Sequence, residues 1–140
     1  MNIKTLGSSS KGNCYIVDNF MIECGLPIAK IIKGVEKLPD FCLVSHVHAD
    51  HAKSCRELEQ LGVVIICNKE VAEKYELTQP YVIKEQVETF KICNYNVTAV
   101  SLPHDALNCG FIISNAKDSL FYASDMGSLP YNFYGNFTEI

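Results

Sequence analysis

Apolar positions follow two rhythms along this chain, and the change from one to the other divides it. N-I-K-T-L, C-Y-I-V and F-M-I-E-C are short runs rich in β-branched and aromatic residues, separated by turn residues, and they predict three strands. Gly25 and Pro27 end that run. Ile28, Ile31, Ile32 and Val35 then recur at helical spacing, which predicts an amphipathic helix over Pro27 to Leu38. Pro39-Asp40 breaks it, and F-C-L-V-S reads as a continuous apolar strand of the kind buried on both faces. A second helix is predicted over Ala52 to Leu61, with Asp50 or His51 at its start and Gly62 in the stop position. V-V-I-I-C is another buried strand and Lys69 to Tyr75 a short helix.

From Tyr81 the pattern becomes all-β: Y-V-I-K, E-T-F-K-I-C, N-V-T-A-V-S-L, G-F-I-I-S and S-L-F-Y-A-S. Asn94 and Asn115 mark turns between neighbours. F-T-E-I, Phe137 to Ile140, has the look of a further strand opening, as in a domain cut at its C-terminus. The order is strands, then βαβα, then an antiparallel run. It predicts an α+β fold of mixed sheets covered on their outer faces by helices, rather than a doubly wound sheet.

Length and composition narrow this further. The 140 residues suit a single domain, 1–140, and 48 % apolar residues make it globular. A net charge of −4 provides no basic field over the whole surface, so contact with nucleic acid has to be local. The opening M-N-I-K-T-L-G-S-S-S-K has no apolar leader core and no run approaches bilayer length, which predicts a cytoplasmic protein with no membrane partner. Seven cysteines form no C-x-x-C pair, and most sit inside apolar runs. They read as reduced core thiols rather than a disulfide framework or a thiolate zinc site.

The candidate chemistry is concentrated in S-H-V-H-A-D-H, Ser45 to His51, which holds three of the chain's four histidines. His46 and His48 are two residues apart beyond a buried strand, so in an extended backbone both imidazoles point to one side. Asp50 and His51 follow at the mouth of a helix, where they can face a second point. One strand-to-helix loop thus offers two pairs of N/O ligands, the economy of a two-metal site with ions roughly 3.5–4 Å apart. The plain alternative, a polar loop whose histidines cap a helix, accounts for one histidine but not three. His104 in L-P-H-D is by itself an ordinary structural histidine. Beside the cluster it is the natural third nitrogen for the His46/His48 ion, leaving a position open for water. Asp125, at the end of S-L-F-Y-A-S, is either a turn residue or a carboxylate able to bridge two ions. Asp105 either bonds a ligand or faces solvent. G-S-S-S-K-G-N is no Walker loop, because its lysine precedes the second glycine and a strand follows. It reads as a tight strand-to-strand turn near the site.

H-V-H-A-D-H matches the H-x-H-x-D-H signature of the metallo-β-lactamase fold hydrolases. L-P-H-D and Y-A-S-D-M-G resemble the next two ligand motifs of that superfamily, in the right order. G-S-S-S-K-G-N-C-Y and M-I-E-C-G are similar to short bacterial and phage members related to ribonuclease Z and YycJ-type phosphodiesterases. The resemblance implies an αβ/βα sandwich with the metals at the edge between two sheets. It further implies that His46, His48 and His104 hold one ion, that Asp50 and His51 hold the other, and that Asp125 bridges them. Glu23 stands where the family usually has an aspartate supporting the site; it is equally well an ordinary strand-end carboxylate. The family's final ligand histidine has no counterpart in this sequence, which spans the first part of the family domain.

The expected function is a metal-dependent hydrolase. Two ions, zinc first, with manganese or ferrous iron as alternatives, generate a hydroxide for attack, and Asp50 also orients it. The ribonuclease Z side of the resemblance points to a phosphodiester, in nucleic acid or a small molecule. A small ester, thioester or lactam remains the substrate alternative, and a metal-binding but catalytically incompetent domain is the rival from another class. Truncation predicts one more consequence. F-C-L-V and V-V-I-I-C would expose an inner sheet face, leading to self-association or to the need for a completing C-terminal segment.

Overall fold

The computed structural model describes residues 1–102, 107–124 and 138–139. Two sheets face one another. The first has six strands in chain order: β1 (Ile3–Ser9), β2 (Gly12–Val17), β3 (Phe20–Ile22), β4 (Phe41–Leu43), β5 (Val64–Cys67) and β6 (Tyr81–Val82). Its first three strands are antiparallel, joined by tight turns, whereas β3 to β6 run parallel because helical crossovers join them. The second sheet is ordered β11 (Thr138–Glu139), β10 (Ser119–Tyr122), β9 (Asn108–Ser114), β8 (Tyr95–Leu102), β7 (Val87–Ile92). It is antiparallel except where β11 lies parallel to β10.

Strand alternation places two cores. Tyr15, Phe20, Ile22, Leu43 and Ile66 of the first sheet meet Val97, Phe111, Ile113, Leu120 and Tyr122 of the second. The other face of the first sheet, with Cys14, Met21, Cys42, Val44, Ile65 and Cys67, is covered by helices and contains Ile31, Ala52, Cys55, Leu58 and Val71. Both faces of β4 and β5 are therefore occupied, which is why their sequences are apolar without alternation. Among the described residues the inner face of β4 and β5 is not exposed, contrary to expectation: Leu43 and Ile66 are 0 % and 2 % exposed, packed against the second sheet within the same chain.

Local elements differ from expectation in three places. Helix α1 is Ile28–Gly34 and does not reach Leu38; Val35 is already extended, and Lys4 Nζ binds the Gly34 carbonyl at 2.8 Å. The helix expected from Ala52 to Leu61 begins earlier and is broken in two, α2 (Ala49–Ala52) and α3 (Cys55–Gln60). Ser54 causes the break. Its N–H donates to Cys24 O at 3.0 Å and its hydroxyl to Leu26 O at 2.5 Å, which pulls the chain onto the end of β3. Third, Tyr81–Val82 is not part of the antiparallel run. It pairs parallel to β5 as the edge of the first sheet, reached through α4 (Lys69–Lys74), whose start is capped by Asn68 accepting from Val71 N. Gly62 holds the predicted stop with φ +97°. Among the described residues, no helix is long and apolar enough to cross a membrane.

Candidate metal centre

The parallel strands β3, β4 and β5 all end on one edge of the sandwich, and the loops beyond them converge. Glu23 follows β3, Ser45 and His46 follow β4, and His51 sits in α2 immediately after. Glu23, His46 and His51 each offer a ligand atom within 4.8 Å of the others, and all three are buried. The His46 ring lies 4.8 Å from that of His48 and 4.2 Å from that of His51, centroid to centroid, so His46 is flanked by both. His46 is 0 % exposed and His48 is solvent-exposed, so the pair spans the wall and the mouth of the site. The Asp50 carboxylate approaches His51 Nε2 to 3.3 Å.

Glu23 organises this cluster from beneath. Its backbone is left-handed, φ 64°, an unusual state for a residue with a side chain. The conformation turns a fully buried carboxylate toward β4, where both oxygens are engaged. Oε1 accepts from Ser45 N at 2.8 Å; Oε2 accepts from Ser45 Oγ at 2.6 Å, from Tyr122 OH at 2.9 Å, and from His51 Nδ1. Burial, and then the negative Glu23, push the Tyr122 phenol far above its usual range, so it stays protonated and donates.

These contacts fix the histidine tautomers. Ser45 Oγ spends its proton on Glu23, so at 2.8 Å from His46 Nδ1 it must accept, and His46 carries its proton on Nδ1. His51 also donates from Nδ1, to Glu23. In both rings Nε2 is then the acceptor nitrogen, approached in His51 by Asn13 Nδ2 at 3.5 Å; Glu23 orients His51 directly and His46 through Ser45, as a carboxylate orients a metal-binding imidazole. The donor set of imidazole nitrogens with a nearby carboxylate suits zinc or a similar divalent ion. With both of its oxygens committed to protein donors, Glu23 fits the orienting role better than direct ligation.

The loop that carries the histidines is held by main chain on two sides. Cys24 N donates to His51 O at 2.9 Å, and Gly25 N donates to Asn13 O at 2.9 Å. Asn13 Nδ2 binds Asp50 O at 3.1 Å and Ser9 O at 2.9 Å. The Ser9–Gly12 turn of G-S-S-S-K-G-N thus closes the β1–β2 hairpin beside the site, where it was expected.

His104, Asp105 and Asp125 lie outside the described residues. Of the other expected site residues, His46 and His51 come within ligand distance of Glu23, Asp50 lies against His51 Nε2, and His48 stands beside His46 but outside that group. Ser45, Tyr122 and Asn13 had not been singled out as members of the site. Ser45 could have been found from its place beside His46, whereas Tyr122 carries no sequence signal because it arrives from the opposite sheet. None of the seven cysteines forms a disulfide, and all but Cys93 are buried.

A family model described as a beta-lactamase superfamily domain matches residues 25–137. No curated protein matches the chain. Among solved structures, the metallo-beta-lactamase fold protein YhfI from Bacillus subtilis is similar with a TM-score of 0.70 at 16 % identity, over 91 % of this chain and 63 % of that one. The short form of human tRNase Z is similar with a TM-score of 0.72 at 14 % identity, over 92 % and 71 %. Zn(2+)-bound PqqB from Methylobacterium extorquens is similar with a TM-score of 0.69 at 13 % identity, over 88 % and 64 %. The chain thus spans about two thirds of the length of these structures, and the likeness at such identity is one of fold.

Proposed function

This chain belongs to the beta-lactamase superfamily domain family, and on that premise we propose that it is a metal-dependent hydrolase acting on a phosphodiester. The observation that carries the reading is the meeting of His46 and His51 beside the buried Glu23 carboxylate, with the His48 ring against that of His46. In this proposal His46 and His48, with His104, hold one divalent ion; Asp50 and His51, with Asp125, hold a second. Zinc is the favoured metal. Such ions supply Lewis acidity, which brings the ionisation of a water near pH 7 and stabilises charge on an attacked phosphoryl group.

The chain's own residues have three tasks. Glu23 and Ser45 hold both imidazoles with Nε2 presented, so no reorientation is needed at the moment of reaction. Asp50, part-exposed at the mouth of the site and against His51, orients a nucleophilic water in this proposal. The fully buried His46 and Glu23 form a dry floor on which these interactions gain strength. A phosphodiester is supported by the fold likeness to tRNase Z. The acidic overall balance keeps a small ester, thioester or lactam as the second reading.

The test is elemental analysis after dialysis against a mild chelator, together with rates on bis(p-nitrophenyl) phosphate, a p-nitrophenyl ester and a β-lactam. Bound divalent metal with phosphodiester turnover is expected. Turnover of the lactam or ester alone moves the substrate class, and bound metal with no turnover on any of the three makes this a metal-binding domain.

A further inference from the structure

Both ends of helix α4 are bonded to the histidine loop. At its start, Asn68 accepts from Val71 N at 3.1 Å through Oδ1 and reaches Ser45 O at 3.4 Å through Nδ2. At its other end, the Tyr75 hydroxyl donates to Val47 O at 2.9 Å, across 28 residues of chain. The two carbonyls flank His46, and the second belongs to the peptide bond that leads into His48. Local structure sets the place of Tyr75. Leu77 N donates to Ala72 O at 3.0 Å and Glu76 N to Glu73 O at 3.2 Å, the paired bonds of a Schellman ending. Such an ending needs one residue in the left-handed region, usually glycine; here it is Glu76, φ 52°. Tyr75 is therefore held at the reversal, half-buried, and packs with Ala72, Leu77 and Val47 against the helix-covered core.

The three imidazoles of the loop are held by different means. Glu23 fixes His51 directly and His46 through Ser45. His48 stands at the exposed mouth, with its ring against that of His46. Its main chain is held on both sides. The His48 carbonyl accepts from His51 N at 2.9 Å and from Ala52 N at 3.0 Å, and the peptide before it carries the oxygen that Tyr75 bonds. A peptide group is planar, so a bond to the Val47 oxygen fixes the direction of the His48 N–H and the place of its Cα as one unit.

We propose that Tyr75 is a positioning residue for His48: its hydroxyl sets the peptide that directs this imidazole to the point it shares with His46. The inference rests on the reading above in which His46 and His48 hold one ion. A packing role for the ring alone would be met equally by phenylalanine. The hydroxyl is the part that reaches the loop, and it does so between the two histidines.

The experiment compares the wild-type chain with Tyr75→Phe, which keeps the ring and its packing. Tyr81→Phe is the control, since it loses an exposed phenol that donates to Glu88 on the sheet edge. The first readout needs no metal. In the metal-free chain the NMR shifts of the His48 ring should change in Tyr75→Phe and those of His51 should not, while Tyr81→Phe leaves both in place. The second readout is zinc affinity, by competition with a chromophoric chelator. Tyr75→Phe should weaken it about tenfold, the lower end of the loss when a residue that orients a ligand is removed. In a His48→Ala background the same change should cost nothing further, because a residue acting through His48 then has nothing to position. Circular dichroism checks the fold of each variant. Unchanged His48 signals, or equal zinc losses with and without His48, would reduce Tyr75 to a packing residue and overturn the proposal. A wild-type chain that binds no zinc counts against the metal reading alone, and the His48 signals still decide the role of Tyr75.

Discussion

Gly25 lies directly beneath the Asp50 carbonyl. A Cβ built at Gly25 would overlap Asp50 O and sit 2.6 Å from His51 N, because the chain leaving β3 crosses the histidine loop with no room for a side chain. The neighbouring Cys24 N–H and carbonyl each bind that loop, to His51 O and from Ser54 N. The glycine is thus a packing requirement of the site.

Gly25→Ala should therefore displace the main chain of Asp50 and His51. The expected cost is about 1–3 kcal/mol of stability, the scale of overpacking a tight contact. Thermal unfolding and retained metal after dialysis both report it, and a variant with unchanged melting and metal content would show that the loop moves freely.

Glu23→Gln removes the charge that both histidine tautomers depend on. Metal affinity should fall about 10–100-fold, as for other carboxylates that orient a ligand histidine. Tyr122→Phe takes away one of the donors to that carboxylate and should cost about 1–3 kcal/mol of stability. Nitrogen NMR of the metal-free wild type would read the tautomer directly, and a His51 ring without its proton on Nδ1 would contradict the network.

The thiols give a chemical test of the packing. Burial pushes the Cys14 and Cys67 thiols up to about 12 and Cys109 to about 11, with the negative Glu23 adding to Cys14 and Cys109. In native protein at pH 8, iodoacetamide should label Cys93 alone, and all seven cysteines only after denaturation. Cys42→Ser should leave metal content unchanged; metal loss in a folded Cys42→Ser would point to thiolate ligation.

Glu59 anchors the segment after α4, accepting from Thr78 N at 2.8 Å, Thr78 Oγ1 at 3.0 Å and Gln79 N at 2.9 Å. Burial alone would raise its carboxyl, but these donors outweigh it and hold the group below its usual range. A lowered folded value means the stabilisation is full above the unfolded value, about 4.3, and is lost as pH falls through the folded one. Glu59→Gln should cost about 1 kcal/mol at pH 7, and the difference from wild type should shrink below about pH 4 in urea titrations. A pH-independent difference would assign the effect to shape rather than charge.

Much of this architecture is written in local pattern. The non-alternating F-C-L-V and V-V-I-I-C predict strands buried on both faces, and each is sandwiched between helices and the opposing sheet. S-H-V-H-A-D-H announces clustered nitrogen and carboxylate donors, because three histidines within six residues have no packing role that requires them. Tertiary structure decided the rest. The break between α2 and α3 comes from Ser54 bonding the chain after β3, about 30 residues earlier, which helical periodicity cannot register. Tyr81–Val82 joined the parallel sheet because the α4 crossover returned it beside β5, a matter of chain path and not of β-propensity. Whether Glu23 was an ordinary strand-end carboxylate or the support of two imidazoles was open in sequence. Its left-handed backbone and the arrival of Tyr122 from the other sheet made it the latter, since only the closed sandwich brings residues 99 apart onto one oxygen.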